Sequence, residues 1–115
     1  MQGAVEFRTF DETVSVLAIN APHALILGEW RRLDRAIDEY CSMHAVQRKL
    51  WMSVLADDPN VGKEMVNQID VLRRRRNEIA HEKTKPVAPD EAAEYAKKVL
   101  DLIWLLANAH PTPSL

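Results

Sequence analysis

Apolar residues recur along this chain at helical spacing, and polar residues fill the gaps. Ile26, Trp30, Leu33, Ile37 and Tyr40 follow one another at steps of four, three, four and three. That pattern predicts one long helix from about Pro22 to Met43 with a single apolar stripe. Arg31, Arg32, Asp34, Arg35, Asp38 and Glu39 lie mostly off the stripe and read as a solvated face. Met65, Ile69, Leu72 and Ile79 keep register in a second long helix starting near Asn60 or Val61. In the last helix Ala92, Tyr95, Ala96, Val99, Leu102, Ile103 and Leu106 share a face, and Leu100, Trp104 and Leu105 spill beyond it.

Shorter segments fit between these. Asp11 is a candidate cap for a short helix turning Val14, Leu17 and Ala18 inward. Pro22 ends that helix or opens the next. Val46, Leu50, Trp51, Val54 and Leu55 form a brief apolar segment that stops at the turn Asp57-Asp58-Pro59-Asn60. Lys85-Pro86-Val87-Ala88-Pro89 interrupts the chain. Pro89 suits a first helical turn, where Asp90 and Glu91 meet the positive helix end, although Ala88 is a poor cap.

Strand-like alternation is scarce and the chain has only 3 glycines, so the expected class is all-α. The expected architecture is a bundle of four or five helices. A length of 115 residues fits one domain over residues 1–115, with residues 110–115 as a frayed tail. The surplus apolar surface of the last helix suggests a homodimer, symmetric pairs being the commonest oligomers. The other explanation is a helix buried on several sides within one bundle.

Hydrophobic residues make up 47% and charged residues 28%, an ordinary globular balance. The formal charge of -2 excludes a broadly cationic nucleic-acid coat but not a local basic groove, because the arginines are bunched. Cys41 is the only cysteine, so no disulfide can form within the chain, and a reducing, cytoplasmic setting is the expectation. Met1 to Glu6 lack the layout of a signal peptide, and no apolar run approaches the ~20 residues of a membrane span.

The candidate chemistry sits in Arg76-Asn77-Glu78-Ile79-Ala80-His81. A guanidinium, an amide and an imidazole near one helix end can bind a phosphate and move a proton. Arg73, Arg74, Arg75 and Arg76 cannot share a face, since successive residues rotate by about 100°. Arg76 falls on the apolar line Met65-Ile69-Leu72-Ile79. A cation there either binds an anion at a cleft, pairs with a buried carboxylate or snorkels along its neighbours. His81 either belongs to that site or merely complements the helix dipole. Arg76 and His81 lie about 140° apart around the axis, so a single phosphate requires the arginine to curl or a second copy of the helix to face it. Glu78 and His81 also match the Glu-x-x-His spacing of di-iron bundles. His23, His44 and His110 lack a Glu three residues earlier, so no metal or other cofactor is expected. Cys41 has no basic neighbour pair and reads as packing. The arginine run precedes a helix end rather than opening a helix, which argues against a DNA-reading helix-turn-helix.

Arg-Asn-x-x-x-His at the end of a bundle helix resembles the HEPN superfamily. Ala21-Pro22-His23-Ala24-Leu25, opening a helix with Glu29, Leu33 and Ile37, looks like the family's first long helix. Leu72 to His81 looks like its signature helix, and the segment from Asp90 like its closing helix. The resemblance covers about Pro22 to Ala107. It implies an up-and-down helical bundle, usually homodimeric. In many members it implies a metal-independent endoribonuclease, as in toxins of toxin–antitoxin pairs and defence proteins. Other members serve only as binding or interaction modules. Arg76, Asn77 and His81 would be the catalytic residues. Arg73, Arg74 and Arg75 lie outside the motif but offer phosphate contacts. The partners implied are RNA, a second copy and a protein such as an antitoxin.

Overall fold

The computed structural model describes residues 10–81 and 86–109. The expected tail from His110, the leader reading of Met1 to Glu6 and Lys85 lie outside the described residues. Among the described residues there are five α-helices: α1 (Phe10–Asn20), α2 (Pro22–Met43), α3 (Trp51–Asp57), α4 (Gly62–His81) and α5 (Pro89–Asn108). A short 3-10 turn, Arg48–Leu50, leads into α3, and no strand occurs among the described residues.

The joints follow from local chemistry. Ala21 is shared by two helices: its N–H donates to the Leu17 carbonyl at 2.7 Å, and its own carbonyl accepts from the Leu25 N–H at 2.9 Å. Pro22 then occupies the first turn of α2, where its missing N–H costs nothing. At the far end of α2, Ala45 adopts φ 54, and the Val46 N–H reaches back to the Cys41 carbonyl at 2.9 Å. This is the left-handed closure that glycine usually makes. The turn into α4 is organised by Asp58, which is buried. Its carboxylate accepts from the Tyr40 hydroxyl and, at 2.8 Å, from the Asn60 N–H. Its carbonyl accepts from the Val61 and Gly62 N–H groups, both at 3.0 Å. Gly62, at φ 83, supplies the left-handed step that delays α4 slightly past the expected start.

The core is the one the periodicity marks. α2 and α5 form the most extensive helix pair. Ile26, Leu33 and Ile37 of α2 are fully enclosed with Ala96 and Val99 of α5, Leu55 of α3 and Ile69 of α4. α1 behaves differently from expectation. It begins at Phe10, so Asp11 lies inside the helix rather than capping it. Among its residues of described burial it encloses Val14 and Ala18, one turn apart, and leaves Leu17 exposed. A short helix resting on the bundle through so narrow a strip cannot cover a third position about 60° to one side.

Glu29 interrupts the α2 stripe with a carboxylate that is only 7% exposed. Arg32, one turn on, binds it at 3.1 Å. α4 and α5 are successive in the chain yet touch sparingly. They meet where the Tyr95 hydroxyl donates to the Leu72 carbonyl at 2.8 Å and where Arg75 pairs with Glu91. Among the described residues no helix is long and apolar enough to cross a membrane.

Candidate functional site

α4 packs Met65, Val66, Ile69, Leu72 and Ile79 inward. Arg76 sits within that line and is half-buried. Its guanidinium donates to Asn77 Oδ1 at 3.0 Å. Among the described residues no carboxylate forms an ion pair with it. Its charge is felt at Tyr95: burial pushes that phenol well above its ordinary range, Arg76 pulls it down and Glu29 pushes it up. The charges of Arg76 and of the buried Glu29 of α2 thus both act on the Tyr95 phenol, with opposite sign.

His81 is the last residue of α4 and is exposed. Asn77 is one turn before it and half-buried. Arg76 and Asn77 are joined by their hydrogen bond. Arg76 and His81 are not: five helical steps separate them by about 140°, with Arg76 on the packed side and His81 toward solvent.

The other arginines divide by rotation. Arg73 and Arg74 both turn to Asp70, at 2.7 and 2.9 Å. Arg75 turns to α5, where it binds Glu91, with Glu78 at 3.0 Å and the Pro86 carbonyl at 3.4 Å. The Glu91 bond above all holds its proton more tightly than usual, against the opposing effect of burial. Arg75 thus ties the end of α4 to the start of α5.

Beside this tie lies a groove of about 490 Å³ between α4 and α5, edged by Arg74, Glu94 and Lys98 with Val71 and Tyr95 on its apolar wall. Sequence periodicity did not single out Glu94 or Lys98. They read as ordinary solvent-facing charges of α5, and only the splay of two successive helices gives them a cavity to face.

Elsewhere, burial raises the Cys41 thiol, with Arg48 opposing and Asp38 adding to the shift. That fits a packed, protonated side chain rather than a nucleophile. No three His, Cys, Asp or Glu side chains gather into a metal cage among the described residues. Comparison of the chain with protein-family models, with curated proteins and with solved structures finds no match.

Proposed function

We propose that the chain is a metal-independent endoribonuclease of the HEPN type, working as a symmetric dimer. The observation that carries this reading is Arg76. It is a guanidinium set into the packed side of α4, held by Asn77 and unpaired with any described carboxylate. A cation in that position is costly to the fold unless an anion uses it. RNA supplies both the anion and an internal nucleophile, the 2′-OH.

In the proposed reaction the 2′-oxygen attacks the adjacent phosphorus in line with the 5′-oxygen that leaves. One imidazole takes the 2′ proton and another gives a proton to the departing oxygen. The products are a 2′,3′-cyclic phosphate and a 5′-hydroxyl. Arg76 stabilises charge on the non-bridging oxygens. Asn77 orients Arg76 through its Oδ1, and its amide N–H is left to meet the phosphate. Because Arg76 and His81 diverge on one helix, a second copy of α4 closes the site, and the two His81 side chains share the acid and base roles. A small nuclease of this kind suits a toxin or defence protein held in check by a protein partner.

The test is cleavage of RNA by the purified chain in the presence of chelator. Activity should vanish in His81→Ala and in Arg76→Ala, and all-deoxy substrate should remain intact. A folded protein that cuts no RNA at any salt or pH refutes the reading.

One observation favours a second reading, a non-catalytic interaction module. Trp104 is 65% exposed on α5, with Leu100 and Leu105 partly exposed beside it. In that case His81→Ala leaves partner binding unchanged, whereas Trp104→Ala abolishes assembly.

A further inference from the structure

We infer that the solvent face of α5 is a self-interface, on which a second copy of this chain docks antiparallel about a two-fold axis level with Val99. The inference goes beyond the ribonuclease reading and does not depend on it.

The register of α5 carries the argument. Asp90, Glu94, Lys97, Asp101, Trp104 and Asn108 follow one another at steps of four, three, four, three and four. That spacing sets them on one stripe along the helix. All six are exposed, while the opposite side, with Ala96, Val99 and Leu102, is buried. Trp104 is 65% exposed, with Leu100 and Leu105 partly exposed beside it. An indole left in water on such a stripe is the kind of anchor that interfaces bury.

The stripe is complementary to itself. Turned end for end about Val99, Lys97 falls on Asp101, Glu94 on Trp104 and Asp90 on Asn108. Each match joins unlike groups. Ammonium meets carboxylate twice, once in each direction. The Trp104 indole N–H meets the Glu94 carboxylate, an acceptor. The Asn108 amide donates one hydrogen to the Trp104 carbonyl at 2.7 Å and keeps a second for Asp90. The positive start of one α5 comes to lie beside the negative end of the other. A parallel pair instead sets Glu94, Lys97 and Asp101 each against its own copy, so that like charges meet. An unrelated partner has no need of a pattern symmetric about its midpoint, whereas an isologous contact requires one.

These charges are not spent within the chain. Lys97 and Asp101 stand one turn apart, yet no ion pair joins them to each other or to another described residue. Base before acid is the weaker order for such a pair on one helix. The seam is also separate from any closure of an α4 site. The Tyr95 bond to Leu72 and the Arg75 bond to Glu91 show α4 running antiparallel to α5, so His81 lies beyond the level of Glu91. At about 1.5 Å per residue, an axis at Val99 holds the two copies of His81 roughly 25 Å or more apart.

Sedimentation equilibrium on the purified chain and its variants tests the seam, with circular dichroism at 222 nm following the fold. The chain should self-associate, and less so as salt rises. Lys97→Glu sets like charges against one another on both sides of the axis and should weaken association about tenfold or more. Lys97→Asp combined with Asp101→Lys exchanges the charges in place and should restore association to within about threefold. Trp104→Ala should weaken it about tenfold. Every substituted position is exposed, so helix content should stay constant. A chain that is monomeric at every concentration overturns the seam. So does an assembly indifferent to Lys97→Glu, or an exchanged pair that fails to restore what the single reversal lost. Dependence on Trp104 without dependence on Lys97 overturns the antiparallel register and gives the face to another partner.

Discussion

Replacing Arg76 with leucine separates a residue kept for chemistry from one kept for the fold. Arg76 lies between Leu72 and Ile79, both buried, on the packed side of α4. A leucine there gains about 1 kcal/mol by covering half of its side chain. Removing a half-buried cation that has no described carboxylate partner relieves roughly 2 kcal/mol of desolvation. The lost hydrogen bond to Asn77 costs about 1.5 kcal/mol. Glu29 keeps Arg32 as its counter-charge and is not stranded. The balance is a stabilisation of about 1 to 2 kcal/mol, or a melting temperature higher by about 5 °C in a chain of this size. Thermal melts followed by circular dichroism at 222 nm measure it, with RNA cleavage assayed on the same preparation. The expected outcome is a more stable protein that no longer cuts RNA, the usual exchange at a functional site. A melting temperature lower by 5 °C or more refutes the reasoning, because it makes Arg76 a structural partner. Retained cleavage refutes it from the other side.

Arg75→Leu should do the opposite, lowering stability by about 1 kcal/mol in urea unfolding, since it cuts the tie to Glu91 and Glu78 while both glutamates return to solvent. Ala45→Gly should raise the melting temperature by about 3 °C: removing the strain of an L-residue at φ 54 is worth ~1–2 kcal/mol, partly offset by the greater freedom of glycine in the unfolded chain. Both tyrosines of the chain should resist ionisation. Burial leads in raising each phenol, followed at Tyr40 by its bond to Asp58 and at Tyr95 by the opposing charges of Arg76 and Glu29. Unfolded tyrosine ionises near pH ~10 while the folded phenols stay protonated. Stability from these groups is therefore intact below that pH and falls above it, by up to about 2.7 kcal/mol per pH unit for the pair. Absorbance at 295 nm should rise together with loss of helix, and a simple titration near pH ~10 in a fully helical protein contradicts this.

The long helices were legible because their signals are local. The α2 stripe and Pro22 set its span, and Pro89 with Asp90 and Glu91 set the start of α5. Leu17 was misread because facing inward depends on how wide a strip α1 presents to the bundle, a tertiary fact. Glu29 and Asp58 were not recognised as buried for a related reason. Asp58 sits in a polar turn by sequence, and its hydrogen-bonded partner Tyr40 is far back on α2. Arg76 did stand out, because a cation broke an apolar register. Its angular separation from His81 followed from helix geometry alone. The groove between α4 and α5 did not, since a cavity between two amphipathic helices depends on their splay.

The arginine run shows why composition overstates a phosphate site. Four guanidinia in succession look like a cationic patch, but rotation sends them to different neighbours. Arg73 and Arg74 share the single carboxylate of Asp70. Arg75 faces two glutamates and is overcompensated. Four positive charges against three negative ones leave one, and Arg76 is the member with no carboxylate of its own. A phosphodiester approaching this end of α4 therefore meets little attraction from the run as a whole. The attraction is concentrated where the chain holds a cation against its own packing. That concentration suits an interaction that must strengthen as charge builds on phosphorus more than it suits tight ground-state binding. It also means that substrate choice has to come from somewhere other than the arginine run.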